Sequence, residues 1–143
     1  MSARIKILLV DDKENNLLSM ESVLWQDGYQ IIKATSGKEA LKILLKEMDF
    51  TLILMDVEMP ELNGFETASM IYQRDRLRHI PIIFLSAHDD PDERVAGLMA
   101  GAVDYVRKPY SAEEVALRVR IPLPTLRRLT REAAEQIAAV AVE

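Results

Sequence analysis

Cysteine is absent from the 143 residues, which removes disulfides and thiolate metal ligands at once. No apolar run approaches the roughly 18 residues that a membrane-spanning helix needs. The first apolar run is short and ends in Asp11-Asp12, which is not the pattern of a signal peptide. Clustered Lys and Arg are scarce before the C-terminal tail and the formal charge is −5, so direct nucleic-acid binding through phosphate contacts is not expected. A soluble, cytoplasmic protein with no membrane segment is the expectation.

What the chain does contain is 49% apolar and 29% charged residues, a balance that suits one compact domain with a full core and a short tail. Short β-branched runs alternate with longer amphipathic stretches, the sign of an α/β fold in which a doubly wound parallel sheet of five strands is covered by helices on both faces. Strands are expected near 5–10, 29–34, 51–56, 81–86 and 103–107. Helices fit between them. Residues 14–27 put Leu17, Leu18, Val23 and Leu24 on one side, with Gly28 as a stop. Ser36 and Glu39 form a capping-box pattern at the head of a second helix, whose stripe is Ala40, Leu41, Leu44, Leu45 and Met48. A third helix is expected from Gly64 to about Asp75, and a fourth near 91–100 that carries Gly97 inside it at a cost of about 1 kcal/mol. The fifth begins at Ser111 with another capping-box partner, Glu114, and must end near Arg120 because Pro122 and Pro124 cannot continue it.

Ligands of open parallel sheets bind outside the carboxyl ends of the strands, where strand order reverses. That rule gathers Asp11, Asp12, Asp56, Ser86 and Lys108 into one crevice. Each Asp alone reads as a helix cap or turn residue. Together, three carboxylates held close repel one another unless a cation joins them, and oxygen ligands with room for water and phosphate oxygens suit Mg2+.

At these residues the chain resembles the receiver domain of two-component response regulators, over about residues 4–121. The resemblance rests on Leu8-Leu9-Val10-Asp11-Asp12, on Met55-Asp56 followed by Met59-Pro60 and Gly64, on Ser86-Ala87, and on Gly101-Ala102 with Asp104-Tyr105 and Lys108-Pro109. It implies a flavodoxin-like strand order, 2-1-3-4-5. It further implies phosphoryl transfer from a histidine kinase or histidine phosphotransfer protein to Asp56 as nucleophile. Asp12 and Asp56 would ligate Mg2+ directly, the Glu58 main-chain carbonyl would add a ligand, and Asp11 would act mainly through a bound water. Lys108 would clamp the phosphoryl group, and Ser86 with the Ala87 main-chain N–H would bind its oxygens. Such a protein is a phosphoacceptor switch rather than an enzyme acting on other substrates.

By the same analogy Tyr105 turns inward as the Ser86 loop moves, and the surface of the fourth helix, fifth strand and fifth helix changes for a downstream protein or a fused effector domain. Glu58 and His88, each two residues past a site residue, would flank the attacking water and tune the lifetime of the phosphorylated state. His79 reads as a loop residue, not a phosphorelay histidine.

The domain is expected to end at residue 121, leaving 122–143 as a Pro-broken linker and a short helix. That helix would carry Leu126, Leu129, Ala133, Ile137 and Val140 on one side, either docked on its own domain or used in a homodimer or partner contact. Two other classes use similar folds. A haloacid dehalogenase phosphohydrolase needs Asp-x-Asp after the first strand and a cap, whereas the chain has Asp11-Asp12-Lys13-Glu14. A flavodoxin-like mononucleotide binder needs a phosphate loop that is not acidic. A folded but unphosphorylated scaffold is the remaining alternative.

Overall fold

Leucine- and isoleucine-rich runs form parallel strands β1 (Lys6–Val10), β2 (Gln30–Ala34), β3 (Leu52–Asp56), β4 (Ile82–Ser86) and β5 (Asp104–Arg107), in the order β2-β1-β3-β4-β5. The computed structural model describes residues 5–47, 49–87, 104–107 and 111–120, with the backbone alone described for Asp104, Tyr105, Arg107 and Arg120. Every strand ends where the sequence places its end and starts one residue later. The residue before it contributes only a carbonyl to the ladder in two cases: Ile5 accepts from Gln30 N–H at 2.8 Å, and Pro81 accepts from Ile53 N–H at 3.0 Å.

β1, β3 and β4 are buried along their whole length, and successive residues feed opposite faces. Leu8, Val10, Ile53, Met55, Ile82 and Phe84 join one core cluster. Ile7, Leu9, Leu52, Leu54, Ile83 and Leu85 join the other. Helices α1 (Glu14–Gln26), α2 (Gly37–Lys46) and α3 (Gly64–Tyr72) and the helix Ala112–Arg120 cover these faces. α2 and α3 supply Ala40, Leu44, Ala68 and Ile71 to the first cluster, while α1 and Ala112–Arg120 supply Leu17, Met20, Leu24, Val115 and Ala116 to the second. The chain moves outward from β1 to β2 and then back past β1 to β3. With right-handed crossovers, that reversal is what puts α1 and α2 on opposite faces.

Helix ends follow local chemistry. Gly28, at φ +88°, closes α1 in a Schellman motif, its N–H donating to Trp25 O at 3.0 Å and Tyr29 N–H to Leu24 O at 3.4 Å. Ser36 Oγ caps α2 by accepting from Glu39 N–H at 3.1 Å. The reciprocal arm differs from the expected box: Glu39 accepts from Thr35 N–H at 3.3 Å and from its hydroxyl at 3.2 Å. α3 stops at Tyr72 rather than near Asp75, because tight turns (Leu77 N–H to Arg74 O, 3.0 Å; Ile80 N–H to Leu77 O, 3.1 Å) drop Leu77 and Ile80 into the core. The helix expected near 91–100, the tail 122–143 and Met48 of the α2 stripe lie outside the described residues.

At the amino end of β1, the Lys6 ammonium donates to Glu47 at 2.6 Å and to Asp49 at 2.9 Å and lies 4.7 Å from the Phe50 ring centroid. The two carboxylates raise the Lys6 pKa above its ordinary value, and the ammonium holds the Asp49 carboxyl below its own. A raised lysine pKa means stability that is complete below the ordinary value of 10.5 and lost as pH climbs through the folded value. Lys6→Ala is expected to cost about 1–2 kcal/mol at neutral pH, from lost charged hydrogen bonds, ring contact and stem packing. The gap between the urea midpoints of the two proteins should narrow as pH rises past 10.5 and the ammonium loses its charge, and a constant gap across that range would show that packing alone carries the effect.

Candidate functional site

The reversal of strand order at β1 and β3 leaves a crevice at their carboxyl ends, and acidic residues line it. Asp11 and Asp12 follow β1, and Asp56 is the last residue of β3. One carboxylate oxygen from each of the three lies within 4.8 Å of the others. Asp11 and Asp56 are buried and Asp12 is half-buried.

The three are not held alike. Asp11 is tied to the start of α1: one oxygen accepts from Lys13 N–H at 2.9 Å and the other from Asn16 Nδ2 at 3.1 Å. Asp12 Oδ1 is buried with no hydrogen-bond partner among the described residues. A carboxylate with an orphaned oxygen, gathered with two further carboxylates, is costly on its own and is what a hard divalent cation resolves, so the donor set fits Mg2+. Asn16 was not among the residues singled out in the sequence. Its signal was its place in the first turn of α1, from which its side chain reaches back to Asp11.

Asp56 is seated by backbone packing. Val57 N–H donates to Leu85 O at 2.9 Å, and Gly64 N–H returns to Val57 O at 2.9 Å, so the loop from β3 to α3 closes back onto the strand end. A full capping box anchors α3: Asn63 Oδ1 accepts from Glu66 N–H at 2.8 Å, and Glu66 accepts from Asn63 N–H at 3.0 Å. Within the loop Glu61 has φ 66°, a left-handed conformation that costs a non-glycine residue on the order of 1 kcal/mol. Phe65 then meets Phe84 of β4 edge to face, with ring centroids 4.9 Å apart.

Ser86, fully buried, ends β4 one residue beyond Leu85, the register partner of Asp56. Its hydroxyl and the Ala87 N–H, the donors expected for phosphoryl oxygens, both donate to Glu58 in this structure, the hydroxyl at 2.6 Å and the N–H at 2.8 Å, and both reach the same atom, Oε1. The Glu58 side chain thus joins β3's loop to the end of β4, a contact that its position two residues past Asp56 did not announce. Tyr105 lies on β5 opposite Phe84, while Lys108 and His88 are outside the described residues. His79 is an exposed turn residue, as expected. Among the described residues, no helix is long and apolar enough to cross a membrane.

Comparison with known proteins agrees with this geometry. A probable cyclic di-GMP phosphodiesterase of Vibrio cholerae is 40% identical over 121 residues, covering 85% of this chain and 27% of that protein. The response regulator SaeR of Staphylococcus aureus is 32% identical over 131 residues, covering 92% of this chain and 56% of that protein. This chain therefore spans little more than a quarter of the first and about half of the second. Among solved structures, the chemotaxis protein CheY4 of Vibrio cholerae superposes with a TM-score of 0.77 at 29% identity, covering 82% of this chain and 98% of that one. The non-phosphorylated HemR receiver domain of Leptospira biflexa gives 0.74 at 32% identity, with 81% and 91% covered. The phosphohydrolase and mononucleotide-binding alternatives fall away. With the response regulator receiver domain pattern matched across residues 7–120, the strand order and the acidic crevice have one reading: the chain belongs to the receiver domains of two-component response regulators.

Proposed function

We propose that this receiver takes a phosphoryl group from the phosphohistidine of a sensor histidine kinase, or of a histidine phosphotransfer protein, onto Asp56. The observation that carries the proposal is the meeting of Asp11, Asp12 and Asp56, with Asp12 Oδ1 left without a hydrogen-bond partner among the described residues. An Asp56 carboxylate oxygen attacks phosphorus, the P–N bond to the imidazole breaks as the P–O bond forms, and the departing imidazole nitrogen takes up a proton. Transfer of this kind is chiefly positioning and charge neutralisation. Mg2+, held by Asp12, Asp56 and the Glu58 main-chain carbonyl, with Asp11 acting through water, would neutralise the charge on the phosphoryl oxygens. Asp11 is suited to the outer role, since Lys13 and Asn16 already engage both its oxygens.

Lys108 supplies an ammonium to the phosphoryl group, Ser86 and Ala87 supply hydrogen-bond donors, and Glu58 and His88 tune the lifetime of the acyl phosphate. Ser86 and Tyr105 then carry the change to the surface made by residues 91–100, β5 and Ala112–Arg120, which a downstream protein or an attached output domain reads. The protein catalyses only its own phosphorylation and dephosphorylation, and works in the cytoplasm.

Intact mass after incubation with Mg2+ and acetyl phosphate tests this reading. A gain of about 80 Da, the mass of one phosphoryl group, is expected in the native protein and in neither Asp56→Asn nor an EDTA-treated sample. No gain in the native protein, under conditions that phosphorylate a known receiver, would leave the domain as a scaffold.

A further inference from the structure

The most telling contact in the molecule outside the acidic cluster is the one made by Glu58. Its Oε1 accepts from both the Ser86 hydroxyl at 2.6 Å and the Ala87 N–H at 2.8 Å. These two donors lie at the end of β4, beside the strand that ends in Asp56. A single anionic oxygen holding a hydroxyl and the next main-chain N–H is the arrangement a phosphoryl oxygen makes with the same pair. Each donor has one hydrogen, so neither can serve Glu58 and a phosphoryl oxygen fully at the same time.

We propose that the Glu58 carboxylate is an internal competitor for the phosphoryl-oxygen subsite, a latch that Asp56 phosphorylation must displace. The proposal rests on the phosphoacceptor reading of Asp56 and adds a threshold to it. Charge-assisted hydrogen bonds are about twice as strong as neutral ones, so exchanging both for bonds to a phosphoryl group returns little net gain, and the latched form resists conversion. The latch also ties two elements, because Glu58 sits in the loop after β3 and its partners end β4. Releasing it frees the β4 end to move, which links occupancy of the subsite to the motion of the Ser86 loop. The role differs from orienting or repelling an attacking water: it sets how easily the site is filled, before any question of how long the product lasts.

The test titrates the protein with beryllofluoride in Mg2+, following the Ala87 amide by NMR, for the native chain, Glu58→Ala, Glu58→Gln and Glu61→Gln. Removing the latch is expected to tighten beryllofluoride binding about tenfold or more in Glu58→Ala, the equivalent of losing about 1.4 kcal/mol of competition. Glu58→Gln, which keeps the side chain's shape and a weaker acceptor, should show a smaller gain and stands in if the alanine variant folds poorly. Glu61→Gln removes one charge from the same loop and should bind like the native chain, which separates the latch from a general electrostatic gain. In EDTA, the Ala87 amide should move upfield in Glu58→Ala, as it loses a charged acceptor, with no phosphoryl analogue present. If Glu58→Ala and Glu58→Gln bind no tighter than the native chain, or if Glu61→Gln gains as much as they do, the latch is wrong and the phosphoacceptor reading stands. If no variant nor the native chain binds beryllofluoride, both are overturned.

Discussion

Replacing Asp12 by Asn is expected to raise the melting temperature of the metal-free protein while removing most of the stabilisation that Mg2+ confers. Three carboxylates meet within 4.8 Å, and one oxygen of Asp12, Oδ1, is buried without a hydrogen-bond partner among the described residues. A pair of unit charges at such a separation repels by roughly 3 kcal/mol at an effective dielectric of 20, part of which is screened at a half-open site. Neutralising Asp12 should therefore stabilise the metal-free fold by about 1–2 kcal/mol, a rise of roughly 3–8 °C for a domain of this size. The native protein gains about 2.7 kcal/mol from a ligand present at a hundred times its Kd, and the variant should lose that gain because a neutral amide is a poor ligand for a hard divalent cation. Thermal unfolding of both proteins with EDTA and with Mg2+ gives the four numbers needed. A variant less stable without metal and equally responsive to Mg2+ would remove Asp12 from the site.

Gly64→Ala should slow phosphorylation of Asp56 on the order of a hundredfold while leaving a folded protein. A Cβ at Gly64 would stand 2.5 Å from the Asp56 carbonyl oxygen and 2.8 Å from Val57 Cα. Both are backbone atoms of the strand end, and neither can swing aside as a flexible side chain could. Since the Gly64 N–H also donates to Val57 O at 2.9 Å, loop and strand must separate or the end of β3 must shift. Overpacking of this kind costs typically about 1–3 kcal/mol, and a displacement near 1 Å at a reacting group costs about a hundredfold in rate. The initial rate of mass gain from acetyl phosphate, set beside the urea midpoint, separates the two effects. A native rate in a destabilised protein would mean that α3 yields and Asp56 stays.

Strand ends were the most legible feature because two-sided burial writes them as unbroken apolar runs, and a carboxylate ending such a run, as at Asp56, marks both the boundary and the site. Gly28 was readable as a stop since its position demanded positive φ. The end of α3 was not, because Gln73 and Arg74, which follow Tyr72, are good helix formers. What ends the helix is the need to bury Leu77 and Ile80, a tertiary demand that periodicity does not register. The acidic cluster could be gathered from topology alone. Its internal differences could not: that Asn16 and Lys13 engage Asp11 while Asp12 Oδ1 has no hydrogen-bond partner among the described residues depends on how α1 departs from β1. The Glu58 contact with Ser86 and Ala87 was least accessible of all, since nothing in a side chain two residues past Asp56 says which neighbouring strand it will reach.

β1 and β3 are neighbours in the sheet, yet α1, β2 and α2 all lie between them in the chain. Asp12 and Asp56 therefore meet only at the moment those two strands pair, and the like charges oppose the step that completes the middle of the sheet. Folding kinetics can use this. A cation that binds only after the pairing slows unfolding and leaves the folding rate alone, whereas one that binds at the barrier speeds folding. The Mg2+ dependence of the two arms of a chevron thus dates the pairing of β1 with β3 within the folding reaction, without a single substitution.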